Sequence, residues 1–255
     1  MKTGAYLESV LLKREQVPGF DAYPFSLPVV RALDVLEFHP AVTFVIGENG
    51  TGKSTLVEAI AVASGFNAEG GSRSLSFSTR ASHSCLHEYL RLRRGSGRGR
   101  PRDGYFLRAE SYHNVATAIE AIDREIGESW QYGPPIIDAY GGVGLHEQSH
   151  GESFLALFLN RLRGDGLYLL DEPEAALSPT RQLAVLRRVH DLVRDGSQFI
   201  VATHSPILLA YPDAWIYELS DEGIQRMEYR ETEHYLTTKS FLNDPDVFLD
   251  ELFRD

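Results

Sequence analysis

GENGTGKST, residues 47–55, decides the fold. It fills the pattern G-x-x-x-x-G-K-[ST] with Gly47, Gly52, Lys53 and Ser54, and Glu48, Asn49, Gly50, Thr51 and Thr55 complete the stretch. The physical content of the pattern is a backbone nest. Successive N–H groups converge on one point only where residues without a Cβ open the required backbone angles, and Gly47, Gly50 and Gly52 supply them. Such a nest cradles phosphate oxygens, Lys53 adds a mobile positive charge for the β- and γ-phosphates, and the Ser54 hydroxyl is a ligand for Mg²⁺. The flanks agree with this reading. AVTFVI (41–46) is a β-branched apolar run of strand length, and TLVEAIAVAS (55–64) has helical spacing, so the loop opens a helix whose positive dipole end faces the anion.

Working outward, 255 residues with 43% hydrophobic content suit one large α/β domain, and a single domain over 1–255 is the expectation. Strands are expected near 6–12, 41–46, 104–109, 167–170, 198–203 and 214–219, and helices over 52–64, 113–126, 152–163, 180–195 and 232–242. The near-continuous apolar character of GLYLLDE and QFIVATH implies a mainly parallel sheet buried on both faces and flanked by helices. The Pro-rich early chain reads as an antiparallel β region. One cysteine, Cys85, excludes an internal disulfide and is expected as a buried thiol in a reducing compartment. No apolar stretch approaches the ~18 residues of a membrane span, and no signal region opens the chain, so a soluble cytoplasmic protein without direct membrane insertion is expected.

A net charge of −11 argues against a surface that attracts nucleic acid everywhere. Against that background stand Arg91, Arg93, Arg94, Arg98, Arg100, Arg102 and Arg108, centred on a basic flexible loop over 93–104. The Arg91–Arg108 cluster is a candidate contact for nucleic-acid phosphates; the alternative is a solvated Gly/Ser/Arg loop, because no aromatic side chains are interleaved for base stacking.

LYLLDEPEAAL (167–177) ends a buried strand in two adjacent carboxylates. Ligands of open α/β sheets lie beyond the carboxyl ends of the strands, so Asp171 sits beside Ser54 as a second Mg²⁺ ligand, acting through water. Successive strand side chains face opposite ways, which frees Glu172 to polarise an attacking water. QFIVATHSP (198–206) closes with His204, a candidate hydrogen-bond donor to the γ-phosphate. SHGES (149–153) opens an apolar helix whose free N–H groups form a second anion site around Ser149 and Gly151; a plain N-cap at Ser149 or Ser153 is the alternative.

Together these segments resemble the ATPase heads of the ABC superfamily, and more narrowly the stand-alone bacterial AAA family ATPases related to the SMC and RecF heads. GENGTGKS resembles the Walker A motif, SHGES the signature loop, LYLLDEPEAAL the Walker B motif with its catalytic glutamate, and ATHSP the switch-histidine region. The resemblance implies a P-loop ATPase that uses ATP and Mg²⁺, with Glu172 and His204 as its catalytic residues. It also implies an ATP-dependent homodimer in which Ser149 and Gly151 of one copy meet the γ-phosphate held by Lys53 of the other. His150 replaces the usual first glycine of the signature, and Ser178 stands where an aspartate is usual. Glu110 lies in the region of the family's Mg²⁺-linking glutamine, and Tyr23 is spaced to stack on adenine or to fill the core. With no heptad run or CxxC hook, the expectation is an ATPase gating contact with nucleic acid or an unknown protein partner. The alternatives are a transporter's nucleotide-binding subunit and a small-molecule kinase.

Overall fold

Ten strands alternate with eight helices among the described residues of the computed structural model, which are 4–73, 84–127 and 134–254. The strands are β1 (Leu7–Leu12), β2 (Val35–Glu37), β3 (Val42–Gly47), β4 (Gly71–Ser72), β5 (Leu90–Arg94), β6 (Asp103–Arg108), β7 (Gly166–Asp171), β8 (Gln198–Ala202), β9 (Trp215–Ser220) and β10 (Gly223–Met227). The helices are α1 (Pro28–Ala32), α2 (Lys53–Ala63), α3 (Tyr112–Gly127), α4 (His150–Ala156), α5 (Pro179–Arg194), α6 (Pro206–Leu209), α7 (Glu233–Asn243) and α8 (Pro245–Leu252). Seven strands form a sheet in the order β10-β9-β3-β8-β7-β6-β4, parallel from β9 to β6 and antiparallel at both margins. The other three form an antiparallel sheet, β2-β1-β5. The fold class is the one the sequence implies.

Strand parity distributes the core. Phe44, Ile46, Tyr168, Leu170, Phe199 and Val201 face one cluster, shared with α3, α4 and α5, while Val45, Leu167, Leu169, Ile200 and Ala202 face the other. In the second cluster α2 lies between the two sheets, which explains why it is apolar nearly all round: Leu56, Val57 and Ile60 are fully buried. Truncating any of them to alanine costs about 2–5 kcal/mol. In contrast α5 buries only a stripe, Val185, Val189 and Leu192, behind an N-cap in which Ser178 Oγ accepts the Arg181 N–H. That cap gives a local reason for serine at 178.

Gln198 joins the two sheets. Its buried side chain on β8 accepts the N–H groups of Tyr6 and Leu7, both at 2.9 Å, and donates to the carbonyls of Leu7 (2.8 Å) and His39 (3.0 Å). Every hydrogen-bonding position of the amide nitrogen is filled, as a buried polar group requires.

Three expectations are corrected. Arg93 and Arg94 end β5, and Asp103 and Gly104 begin β6, so the connection shortens to 95–102. It is tied down: Gly95 N–H donates to Tyr6 O, Arg102 N–H to Asp165 O, and the Arg98 guanidinium lies 4.8 Å from the Tyr6 ring centroid. Cys85 is exposed. The helix expected over 152–163 starts at His150 and passes into a π-helical turn over Leu157–Arg161. No helix among the described residues is long and apolar enough to cross a membrane.

Candidate nucleotide site

The loop after β3 has the backbone that its glycines permit. Gly47 has φ +140°, and a Cβ there would lie 2.2 Å from the Leu219 carbonyl oxygen; Gly52 has φ +98°, and its Cβ would lie 2.6 Å from a Val29 methyl. Both positions therefore exclude a side chain twice, by angle and by space. Glu48 and Asn49 are exposed, and Thr51 Oγ1 donates to Glu48 O at 2.9 Å. The Lys53 ammonium, 4% exposed, folds back to donate to Gly47 O (2.7 Å) and Glu48 O (2.8 Å). Burial lowers its pKa, opposed by the nearby carboxylates of Glu172, Asp171, Glu174 and Glu48.

Asp171 shares the parity of Leu167 and Leu169 and so faces α2, where Ser54 Oγ donates to its Oδ1 at 3.1 Å. The contact crosses an intervening strand, because β8 lies between β3 and β7. Burial pushes the Asp171 carboxyl up to about 6, moderated by the Ser54 bond and Arg108. A desolvated carboxylate beside a hydroxyl is a set of hard oxygen donors that fits Mg²⁺. An acid whose folded pKa exceeds its unfolded value destabilises the fold at high pH, and the penalty lifts as pH falls through the folded pKa. Asp171→Asn is therefore expected to raise the Tm of the nucleotide-free protein at about pH 8, by up to about 3 kcal/mol of stability, and to lose that advantage near about pH 4. Thermal melts across pH check this; a variant less stable at the alkaline end overturns it.

Glu172 stands just past β7 with φ +52°, its N–H donating to Ala202 O at 2.9 Å. A left-handed glutamate costs about 1–3 kcal/mol, the kind of strain that concentrates at functional sites. Its Oε1 is 3.9 Å from His204 Nε2. Burial and the Lys53 charge lower the His204 pKa, against the pull of Glu172, so the ring is neutral near pH 7. Two further residues hold that histidine, and sequence reading did not single them out. Glu174 Oε1 accepts the His204 backbone N–H at 2.6 Å, and His234 Nε2 lies 3.2 Å from His204 Nδ1. Glu174 was legible as the third acid of DEPE; for His234, a separation of 30 residues gave no signal. A cavity of about 700 Å³ opens beside them, with Gly47, Glu48 and Thr51 on one wall and His204 and His234 on another.

The remaining candidates lie elsewhere. Ser149 is the N-cap of α4 in a capping box, with its N–H (3.0 Å) and Oγ (2.6 Å) both donating to Glu152 Oε2. Gly151 is pressed against α5, since a Cβ would lie 2.3 Å from Arg181 Nη1 and 2.7 Å from Ala176 O. Among the described residues, no hydrogen bond or ion pair of Ser149 reaches the phosphate-binding loop. Lys53, Ser54, Asp171, Glu172 and His204 thus converge, while Ser149 is bonded to Glu152 and Gly151 is buried against Arg181 and Ala176. Tyr23 is 64% exposed, which excludes a core role, and its hydroxyl is 3.5 Å from Thr55 Oγ1 at the start of α2. Glu110 is exposed and accepts from Arg108 at 3.2 Å. Of the arginines, Arg108 is paired with the buried Glu58, Arg93 with Glu8 and Arg102 with Asp165, and Arg91, Arg93, Arg94, Arg100 and Arg102 are all exposed.

Residues 21–123 match the family model described as "AAA domain", and residues 140–210 match that described as "AAA domain, putative AbiEii toxin, Type IV TA system". The first span holds the phosphate-binding loop, the second Ser149, Asp171, Glu172 and His204. An ABC transporter G family member, STR2 of Medicago truncatula, is 27% identical over 199 residues, covering 68% of this chain and 25% of its own length. The chain thus spans about a quarter of that relative. Among solved structures, "An inward-facing conformation of a putative metal-chelate type ABC transporter" is 18% identical, covering 91% of this chain and 88% of the other at a TM-score of 0.50. An SMC head bound to the C-winged helix domain of ScpA is 16% identical, covering 87% and 97% at a TM-score of 0.45.

Proposed function

We propose that this chain, which matches AAA domain family models over residues 21–123 and 140–210 and shares its fold with a putative metal-chelate type ABC transporter chain, binds and hydrolyses ATP with Mg²⁺ as a homodimer. The observation that carries the reading is the convergence of Lys53, Ser54, Asp171, Glu172 and His204 at the carboxyl ends of β3, β7 and β8. The loop N–H groups and the Lys53 ammonium bind the β- and γ-phosphates. Ser54 and Asp171 hold Mg²⁺, which when bound neutralises phosphate charge. Glu172 accepts hydrogen bonding from the attacking water and orients its oxygen toward phosphorus. His204 donates from Nε2 to the oxygens that gain charge as the bond to the leaving ADP breaks. Ser149 and Gly151 of a second copy complete the contact with the γ-phosphate, the Ser149 N–H exchanging its bond to Glu152 for the phosphate.

The dimer gates contact with a partner, and the exposed Arg91, Arg94 and Arg100 favour nucleic acid. A second reading, the ATP-binding part of a transporter, is favoured by the likeness to STR2, an ABC transporter. One set of measurements separates them. Phosphate release from ATP is expected to need Mg²⁺ and to rise with the square of protein concentration at high dilution. Duplex DNA is expected to bind at about 50 mM salt, more weakly and with a shallower salt slope once Arg91, Arg94 and Arg100 are alanine. Hydrolysis without DNA binding turns the assignment to the transporter reading. Absence of hydrolysis ends both.

A further inference from the structure

The imidazoles of His204 and His234 share a single hydrogen bond, Nδ1 to Nε2 at 3.2 Å, with the rings 5.4 Å apart between centroids. Only one of the two facing nitrogens can carry the proton when both rings are neutral. His234 is the second residue of α7, where the positive end of the helix dipole disfavours an imidazolium. Burial and the neighbouring His204 act in the same direction. If Nδ1 of His204 held the proton, its bare Nε2 would face the Glu172 carboxylate at 3.9 Å, acceptor against acceptor. His234 would then carry its own proton on Nδ1, a buried atom with no hydrogen-bond partner. In the opposite arrangement His234 Nε2–H donates and the unbonded N–H is that of His204 Nε2, which faces the Glu172 carboxylate at 3.9 Å and is stabilised by its charge. Each arrangement leaves one N–H and one bare nitrogen unbonded, and the Glu172 charge decides in favour of the one that places the N–H on His204 Nε2.

The frame around His234 is firm. Thr232, fully buried, caps α7 by accepting the Tyr235 N–H, and donates to Tyr229 O at 2.8 Å. Tyr229 in turn donates to the carbonyl of Pro206, two residues beyond His204. Both histidines are thus set on one connected scaffold.

We propose that His234 is the positioning residue of His204: by donating from Nε2 it fixes the tautomer whose N–H faces Glu172 and the γ-phosphate position, and it ties α7 to the nucleotide site. The proposal rests on the reading of His204 as a phosphate donor. Ring ¹⁵N spectra of the nucleotide-free protein and steady-state ATP hydrolysis test it together. His204 is expected as the Nε2–H tautomer in the wild type and in His234→Gln, whose amide can donate from the same place, and as a mixture in His234→Phe. Hydrolysis is expected to fall about tenfold in kcat with KM little changed for His234→Phe, and to stay within about threefold for His234→Gln. A proton on His204 Nδ1 in the wild type, an unchanged tautomer in His234→Phe, or equal rates in the two variants overturns the proposal. The wild-type spectrum needs neither a folded variant nor activity. Loss of the reading of His204 as a phosphate donor would show instead as a His204→Ala variant that hydrolyses ATP normally.

Discussion

Lys53→Ala is expected to abolish measurable ATP binding. In the nucleotide-free protein the ammonium already bridges Gly47 O and Glu48 O, so its removal deletes the phosphate's positive partner and also unpins the two carbonyls that shape the loop. Charge-assisted hydrogen bonds are each worth about 1.5–3 kcal/mol. Losing two raises Kd by at least about a hundredfold. The substitution also leaves Glu172, Asp171, Glu174 and Glu48 without the cation that faces them, which adds repulsion against an incoming triphosphate. Calorimetric titration with ATP and Mg²⁺ reads the effect, and an affinity within about threefold of the wild type would remove the loop from the proposed site. A thermal melt of the same variant shows whether the fold survives the change.

Glu172→Gln is expected to leave binding intact and to lower kcat about a hundred- to ten-thousandfold, the usual range for loss of a general base. The two side chains have the same shape, and either must adopt the left-handed backbone at this position, so folding is not the variable. An amide cannot accept the water's proton. With hydrolysis stopped, ATP-bound pairs accumulate, and sedimentation in ATP and Mg²⁺ should show a dimer where the wild type exchanges between states. Either a nearly normal turnover or a strictly monomeric variant would count decisively against the proposed composite site.

How much of this was legible in the sequence depended on the length scale of the signal. Six strands and five helices lie within a few residues of their expected spans, because apolar runs such as LYLL and the 3.6-residue stripe of α5 are dictated by burial over many positions. β5 was missed although Leu90 and Leu92 face inward and Arg91 and Arg93 outward, a period of two masked by the high arginine content. β2, β4, α1 and α6 are too short for periodicity to register. At the site, contiguous motifs identified Lys53, Ser54, Asp171 and His204, since each is fixed by its immediate neighbours. His234 gains its role only when α7 meets the end of β8, and Arg108 left the basic cluster because Glu58 on α2 claimed it. Cys85 shows the converse limit: its residue type suggested an interior thiol, yet a 3₁₀ turn carries it to the surface.

The Gln198 clamp bears on how such a head can respond to its ligand. Sliding the antiparallel sheet over the parallel one would break at once the three buried hydrogen bonds that Gln198 makes to Tyr6 and Leu7. The phosphate-binding loop, α2 and the antiparallel sheet are therefore expected to travel as one rigid body. On the opposite face the turn after α4 is tied to the sheet, among the described residues, only at its far end, where Arg161 Nη1 and the Arg163 N–H donate to Asp103 at the start of β6, so a displacement that accompanies nucleotide exchange is expected to pivot there.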